Sequence, residues 1–158
     1  HLRWSPRVER QAEEHVRRAF GFGDKAPLPQ YVAVHIPRCG ATQCVPPVSE
    51  LERLVSSIYA SLIASQTLTG PSLVFVLSES PLRPAWRAAA SALAWIILDA
   101  ASPPVDAAVL SGAIGYVGVL GAGAVQEVGV AMAARRVREW RGGVVRMHQL
   151  EGASAEFA

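Results

Sequence analysis

The sequence predicts an α/β domain built on a Rossmann-like parallel sheet flanked by helices. Three observations lead there. Apolar runs of strand length alternate with segments of helical periodicity along the whole chain. The strand candidates are continuous apolar runs, which suits a sheet covered on both faces. Each run stops at a polar or glycine cluster, the kind of tip at which open parallel sheets bind ligands.

Ser5-Pro6 opens the first helix, an N-cap followed by proline at the first helical position. Val8, Ala12, His15, Val16 and Ala19 recur on one face of it. Gly21, Gly23, Pro27 and Pro29 end it in a loop. The first strand spans 31–36 and stops at Pro37 and Arg38. Residues 37–48 hold three prolines and both cysteines and read as loop. Ser49 with Glu52 predicts a capping box. Behind it Leu51, Leu54, Val55, Ile58 and Leu62 form the apolar face of a helix ending near Gln66.

Gly70-Pro71 breaks the chain. The second strand, Leu73 to Leu77, ends in Ser78, Glu79 and Ser80. A helix from about 83 to 93 and a short strand, Trp95 to Leu98, lead to Asp99. Pro103-Pro104 opens a helix through Ser111, and Tyr116 to Leu120 is the next strand. Gly121, Ala122 and Gly123 then turn into a helix expected from about 122 to 139. Its Arg135, Arg136 and Arg138 complement the C-terminal end of the helix dipole. Gly142-Gly143 ends it, and Val144 to Met147 is the last strand. With no repeat and no linker, residues 1–150 form one predicted domain, and 151–158 a disordered tail.

The length of 158 residues is that of one domain, which hides roughly 68–70% of its unfolded surface. A hydrophobic fraction of 51% argues against disorder. The net charge of +2 supplies no global field for nucleic acid, although Lys25 stands alone against fourteen arginines. No asparagine exists to carry an N-linked glycan. The chain begins at His1 without a basic-then-apolar leader, which leads us to expect a fragment or a processed form. Ala107 to Val125 holds nineteen uncharged residues, the crude length of a membrane span. Its five glycines and the Gln126-Glu127 pair beyond argue for helix, strand and glycine turn, so no membrane span is expected.

Polar residues gather where the strands end. His35 and Arg38 follow the first strand, Ser78 and Glu79 the second, Asp99 the third and the glycine turn the fourth. Such tips line one crevice. The planar fork of Arg38 suits a phosphate or carboxylate; a solvated arginine is the alternative. Gly118, Gly121 and Gly123 before a helix offer backbone N–H groups to a phosphate. They serve equally for close helix–strand packing, because the order is not that of a dinucleotide fingerprint and no P-loop lysine follows. His35 also reads as a satisfied core histidine, and Glu79 as a capping acid. Cys39 and Cys44 lie five apart, and both a short disulfide and two free thiols stay open. With His35 they make three donors without paired metal-site spacing, so no metal site is assigned.

These motifs, in this order, resemble the C-terminal half of the GDP-fucose protein O-fucosyltransferase family, in particular its fungal members. The resemblance runs from about His1 to Leu150. His1 to Pro6 is similar to the entry of a family helix. Tyr31 to Arg38 stands where the family has a strand followed by H-x-R-R-G-D. Cys44 to Pro47 resembles a fungal cysteine loop, and Val76 to Glu79 the V-x-S-D-E strand end. Asp106 with Gly115-Tyr116-Val117-Gly118 resembles D…G-F-V-G. Arg135 to Trp140 with Gly142-Gly143-Val144 resembles the fungal closing segment.

The resemblance implies one half of a GT-B-type glycosyltransferase and inverting transfer of fucose from GDP-fucose to a hydroxyl. It implies Arg38 and His35 as candidate catalytic residues. Ser78, Glu79, Asp106, Gly118, Gly121, Ala122 and Gly123 are the implied nucleotide-sugar contacts. GDP-fucose is the donor substrate, and no cofactor or metal is required. The implied partners are a protein or glycan acceptor and either an N-terminal half or a second copy of the chain. The implied compartment is the secretory lumen. Three departures fall on the chemistry. Pro37 stands at the family's first motif arginine, Gly40 at its aspartate, and the loop Gly121-Ala122-Gly123-Ala124 carries no hydroxyl where the family has a Ser-Thr pair that binds phosphate. Proline offers neither charge nor donor, so impaired transfer is expected. The alternative is a degenerate relative, a pseudoenzyme acting as a binding or scaffold module.

Overall fold

The computed structural model describes residues 4–38, 45–71, 73–98, 101–120 and 143–149. Helix α1 is Pro6–Ala19, with Ser5 at the N-cap accepting from the Val8 amide at 3.3 Å. Strand β1 is Tyr31–Ile36 and is buried at every position. Helix α2 is Val48–Ala64, β2 is Leu73–Ser78, and α3 is Pro84–Ala92. Strand β3 is Ile96–Leu98, α4 is Pro103–Ser111, β4 is Gly115–Leu120 and β5 is Val144–Gln149.

All five strands run parallel, in the order β3-β2-β1-β4-β5. This is the doubly wound order, and it reverses direction between β1 and β4. In such sheets the crevice outside the carboxyl ends of the two strands at the reversal is the ligand position. The expected α/β parallel sheet flanked by helices is therefore the observed fold.

Alternation along β1 sorts the core into two layers. Val32, Val34 and Ile36 pack with Leu51, Val55, Ile58 and Leu62 of α2. Tyr31 and Ala33 face the other way, with Phe75, Tyr116 and the apolar sides of α1 and α4. Tyr31 and Phe75 ring centroids lie 4.8 Å apart, with Phe20 at 6.0 Å from each. Gly115 sets how closely α2 approaches the sheet. A Cβ there would stand 2.5 Å from Ile58 Cγ2 and 2.9 Å from Val32 Cγ2.

Two local expectations need correction. The capping box at Ser49 is not formed: α2 begins at Val48, with Pro47 at the cap position and no side-chain cap bond. Pro47 enters with φ −57° and ψ 145°, so the helix is already under way when Ser49 is reached. Trp95 precedes β3 rather than opening it, because Ala94 turns the chain at φ 59°. The segment 107–120 divides into the end of α4 and β4. No helix among the described residues is long and apolar enough to cross a membrane. The expected helix at 122–139 and the tail at 151–158 lie outside the described residues.

Candidate functional site

Register carries the polar residues of the first two strands to one tip. His35 pairs with Leu77 on one side and Gly118 on the other, and Ile36 pairs with Ser78. His35 thus points to the α1/α4 face, and Glu79, one residue past β2, meets it there. His35 Nε2 and Glu79 Oε2 are 3.7 Å apart. The imidazole is 4% exposed, so it belongs to the buried base of the crevice. Its other nitrogen, Nδ1, lies 3.4 Å from the Tyr116 hydroxyl on β4.

A short lattice of hydrogen bonds closes β1 onto β2. The Glu79 amide donates to the Ile36 carbonyl at 2.9 Å. The Arg38 amide donates to Glu79 Oε2 at 3.1 Å. The Ser80 hydroxyl donates to the Pro37 carbonyl at 2.8 Å. Ser78 folds back locally, its hydroxyl donating to the Ser80 carbonyl at 2.7 Å and accepting from the Ser80 amide at 3.2 Å. Proline at 37 costs this lattice nothing, since only its carbonyl is used.

The two carboxylates of the region titrate in opposite directions. His35 at 3.7 Å, aided by the Arg38 amide and against a burial penalty, holds Glu79 below the ordinary carboxylate value. Burial raises Asp106 above it, only partly offset by the Ala101 amide, which donates to Oδ1 at 3.0 Å. His15 and His35 lower Asp106 through space while Glu79 raises it, so all four share one electrostatic neighbourhood. Divergent carboxylates of this kind are how one site separates an ionised acceptor from a group able to hold a proton. His15 on α1 contributes a buried Nε2 with no hydrogen-bond partner among the described residues.

Of the sequence candidates, the fold brings His35, Arg38, Ser78 and Glu79 to one tip, with Asp106 beside them in the first turn of α4. Arg38 is exposed. Gly118 is adjacent in register but covered. A Cβ there would meet Met147 Cε at 2.6 Å, Met147 Sδ at 2.9 Å and Tyr116 Cε1 at 2.9 Å. Packing accounts for that glycine. Gly121, Ala122, Gly123, Asp99, Cys39, Gly40 and Cys44 lie outside the described residues. Among the described residues, no cluster of three His, Cys, Asp or Glu can hold a metal.

Sequence reading places Ser80 at the second strand end and Tyr116 in the β4 motif but gives neither a contact. Tyr116 looks like one more strand aromatic, and only register shows its hydroxyl reaching His35. The polarity of Ser80 was visible, but its reach to Pro37 depends on how β1 and β2 are staggered. A cleft of about 510 Å³ opens elsewhere, at the N-terminal edge of the sheet between Trp4, Gln30, Tyr31, Ser111 and Ile114. It does not include the tip residues.

No family model and no curated protein match this chain. Among solved structures it is similar to the crystal structure of POFUT1 in complex with GDP, at 18% identity and a TM-score of 0.49. The match covers 96% of this chain and 49% of that one, so the chain spans about half the length of that protein.

Proposed function

We propose that residues 1–150 form a nucleotide-sugar-binding domain of the O-fucosyltransferase type, taking GDP-fucose at the tips of β1, β2 and β4. The observation that carries this reading is the convergence of His35, Arg38 and Glu79 at the carboxyl ends of β1 and β2, beside the reversal of strand order between β1 and β4. That crevice is where doubly wound sheets hold nucleotides. The motif order described above supplies the donor's identity.

In this reading Arg38 meets the diphosphate, the group whose negative charge grows as it departs. His35, on the crevice floor, backs the Glu79 carboxylate at 3.7 Å. Glu79 and Asp106, being acidic, face the hydroxyl or N–H groups of the nucleoside or sugar rather than its phosphates. The acceptor is a protein or glycan hydroxyl, presented by a further half of the enzyme or by a second copy.

Titration calorimetry with GDP tests this directly. We expect binding that weakens roughly tenfold or more in Arg38→Ala, the loss of one charge-assisted contact. Absence of heat and of any thermal shift at millimolar GDP would reject the reading.

A second reading is favoured by one specific feature: Pro37 stands at the arginine position of the motif and commits its carbonyl to Ser80. The domain then binds the nucleotide without transferring, as a scaffold module. Retained GDP binding with no fucose transfer to any hydroxyl acceptor selects this second reading.

A further inference from the structure

We propose that Tyr116 is a positioning residue that decides which nitrogen of His35 carries the proton, keeping a donor on Nε2 and the lone pair on Nδ1. The hydroxyl of Tyr116 is buried, and His35 Nδ1 at 3.4 Å is its hydrogen-bond partner among the described residues. A phenol keeps its proton near neutrality, and burial with Glu79 nearby pushes its ionisation higher still. That proton needs an acceptor, because a buried donor left unpaired is costly. The Nδ1 lone pair supplies one.

The opposite assignment fails twice. An Nδ1–H donating to the hydroxyl oxygen leaves the phenolic proton without an acceptor. It also turns a bare Nε2 lone pair toward the Glu79 carboxylate at 3.7 Å, where two electron-rich atoms repel. With Nε2 protonated, both contacts are favourable, and the chain reads Tyr116 O–H to Nδ1, then Nε2–H to Glu79. Glu79 Oε2 accepts the Arg38 amide at 3.1 Å, so one hydroxyl on β4 bears on three groups at the tip. With both ring nitrogens directed at protein groups, His35 acts on the crevice through Glu79 and not as a base toward a ligand.

The effect on ligand binding rests on the nucleotide reading above; the proton's position does not. Nitrogen-15 NMR of the histidine-labelled chain near neutral pH reads the tautomer. We expect His35 as a single Nε2–H species in the native chain, and a mixture with Nδ1–H in Tyr116→Phe, which keeps the ring and its packing. Glu79→Gln should leave the tautomer unchanged, because its amide oxygen still accepts. An Nδ1–H species in the native chain overturns the proposal even if no variant folds. So does an unchanged spectrum in Tyr116→Phe, or a tautomer lost in Glu79→Gln. GDP affinity, measured alongside at a temperature where both chains are folded, should fall several-fold in Tyr116→Phe. If neither chain binds GDP while the tautomers behave as expected, the nucleotide reading fails and the positioning role stands.

Discussion

The backbone amide of Arg38 and the carboxylate of Glu79 meet at 3.1 Å, although 41 positions separate them. The contact turns the end of β1 toward the end of β2 and fixes where the Arg38 side chain starts. A candidate ligand-binding arginine is thus anchored through its own main chain by a neighbouring acid. Replacing that acid affects the position of the arginine as well as local charge.

The pH dependence of stability should carry the Glu79 signature. Its folded pKa lies below the ordinary 4.5. The group therefore binds protons more readily when unfolded, and its stabilisation is present above the ordinary value and lost as pH falls through the folded one. Chemical denaturation from pH 7 down to 3 should show Glu79→Gln less stable by about 1 kcal/mol at neutrality, with the gap closing in acid. A constant gap across that range would contradict the assignment.

Asp106 should behave with the opposite sign. Its folded pKa is raised above the ordinary 3.8. Its contribution is favourable at low pH and is lost as pH rises through the folded value. Asp106→Asn keeps an oxygen for the Ala101 amide, so it should be as stable as the native chain or more stable at pH 7. It should lose that advantage in acid, as read by melting temperature against pH.

Two glycines on the same strand should respond differently to alanine. Gly115→Ala drives a methyl into Ile58 and Val32 in the packed core and should cost about 1–3 kcal/mol. Gly118→Ala meets the flexible end of Met147, which can move aside, and the Tyr116 ring at 2.9 Å, so it should cost less than Gly115→Ala, about 1 kcal/mol. Denaturant midpoints check both. GDP affinity unchanged in Gly118→Ala would mark that glycine as a packing residue, in line with its covered position.

Pro37→Arg should strengthen GDP binding if the crevice holds a diphosphate. One new charged hydrogen bond is worth about 1.5–3 kcal/mol, or roughly ten- to a hundredfold in affinity. The Ser80 bond to the residue 37 carbonyl survives the substitution, so the strand tip should not be disturbed. Calorimetry on the variant and the native chain makes the comparison, and an unchanged affinity would move the diphosphate away from this tip.

Much of the architecture was legible before any coordinates. Strand β1 was expected at 31–36 and is Tyr31–Ile36, because a continuous apolar run bounded by Pro29 and Pro37 has few alternatives. The helix at Pro103–Ser111 was equally plain from its paired prolines. Ser49 misled, since a capping pattern is a local preference and the conformation of Pro47 overrode it. At the site, the residue types at the tips were readable as candidates, while Gly118 was not separable from a phosphate contact. Only Met147, from a strand 29 positions later in the chain, shows what its missing side chain makes room for.

Residue order alone determined that apolar strands alternate with helices and that each strand ends in polar or glycine residues, because periodicity and turn chemistry are local. Tertiary structure decided which tips are neighbours. The β3-β2-β1-β4-β5 order and the stagger of β1 against β2 and β4 place His35 between Tyr116 and Glu79. Strand pairing is settled by the burial of two opposed faces over the whole domain, and no short window of sequence contains that balance.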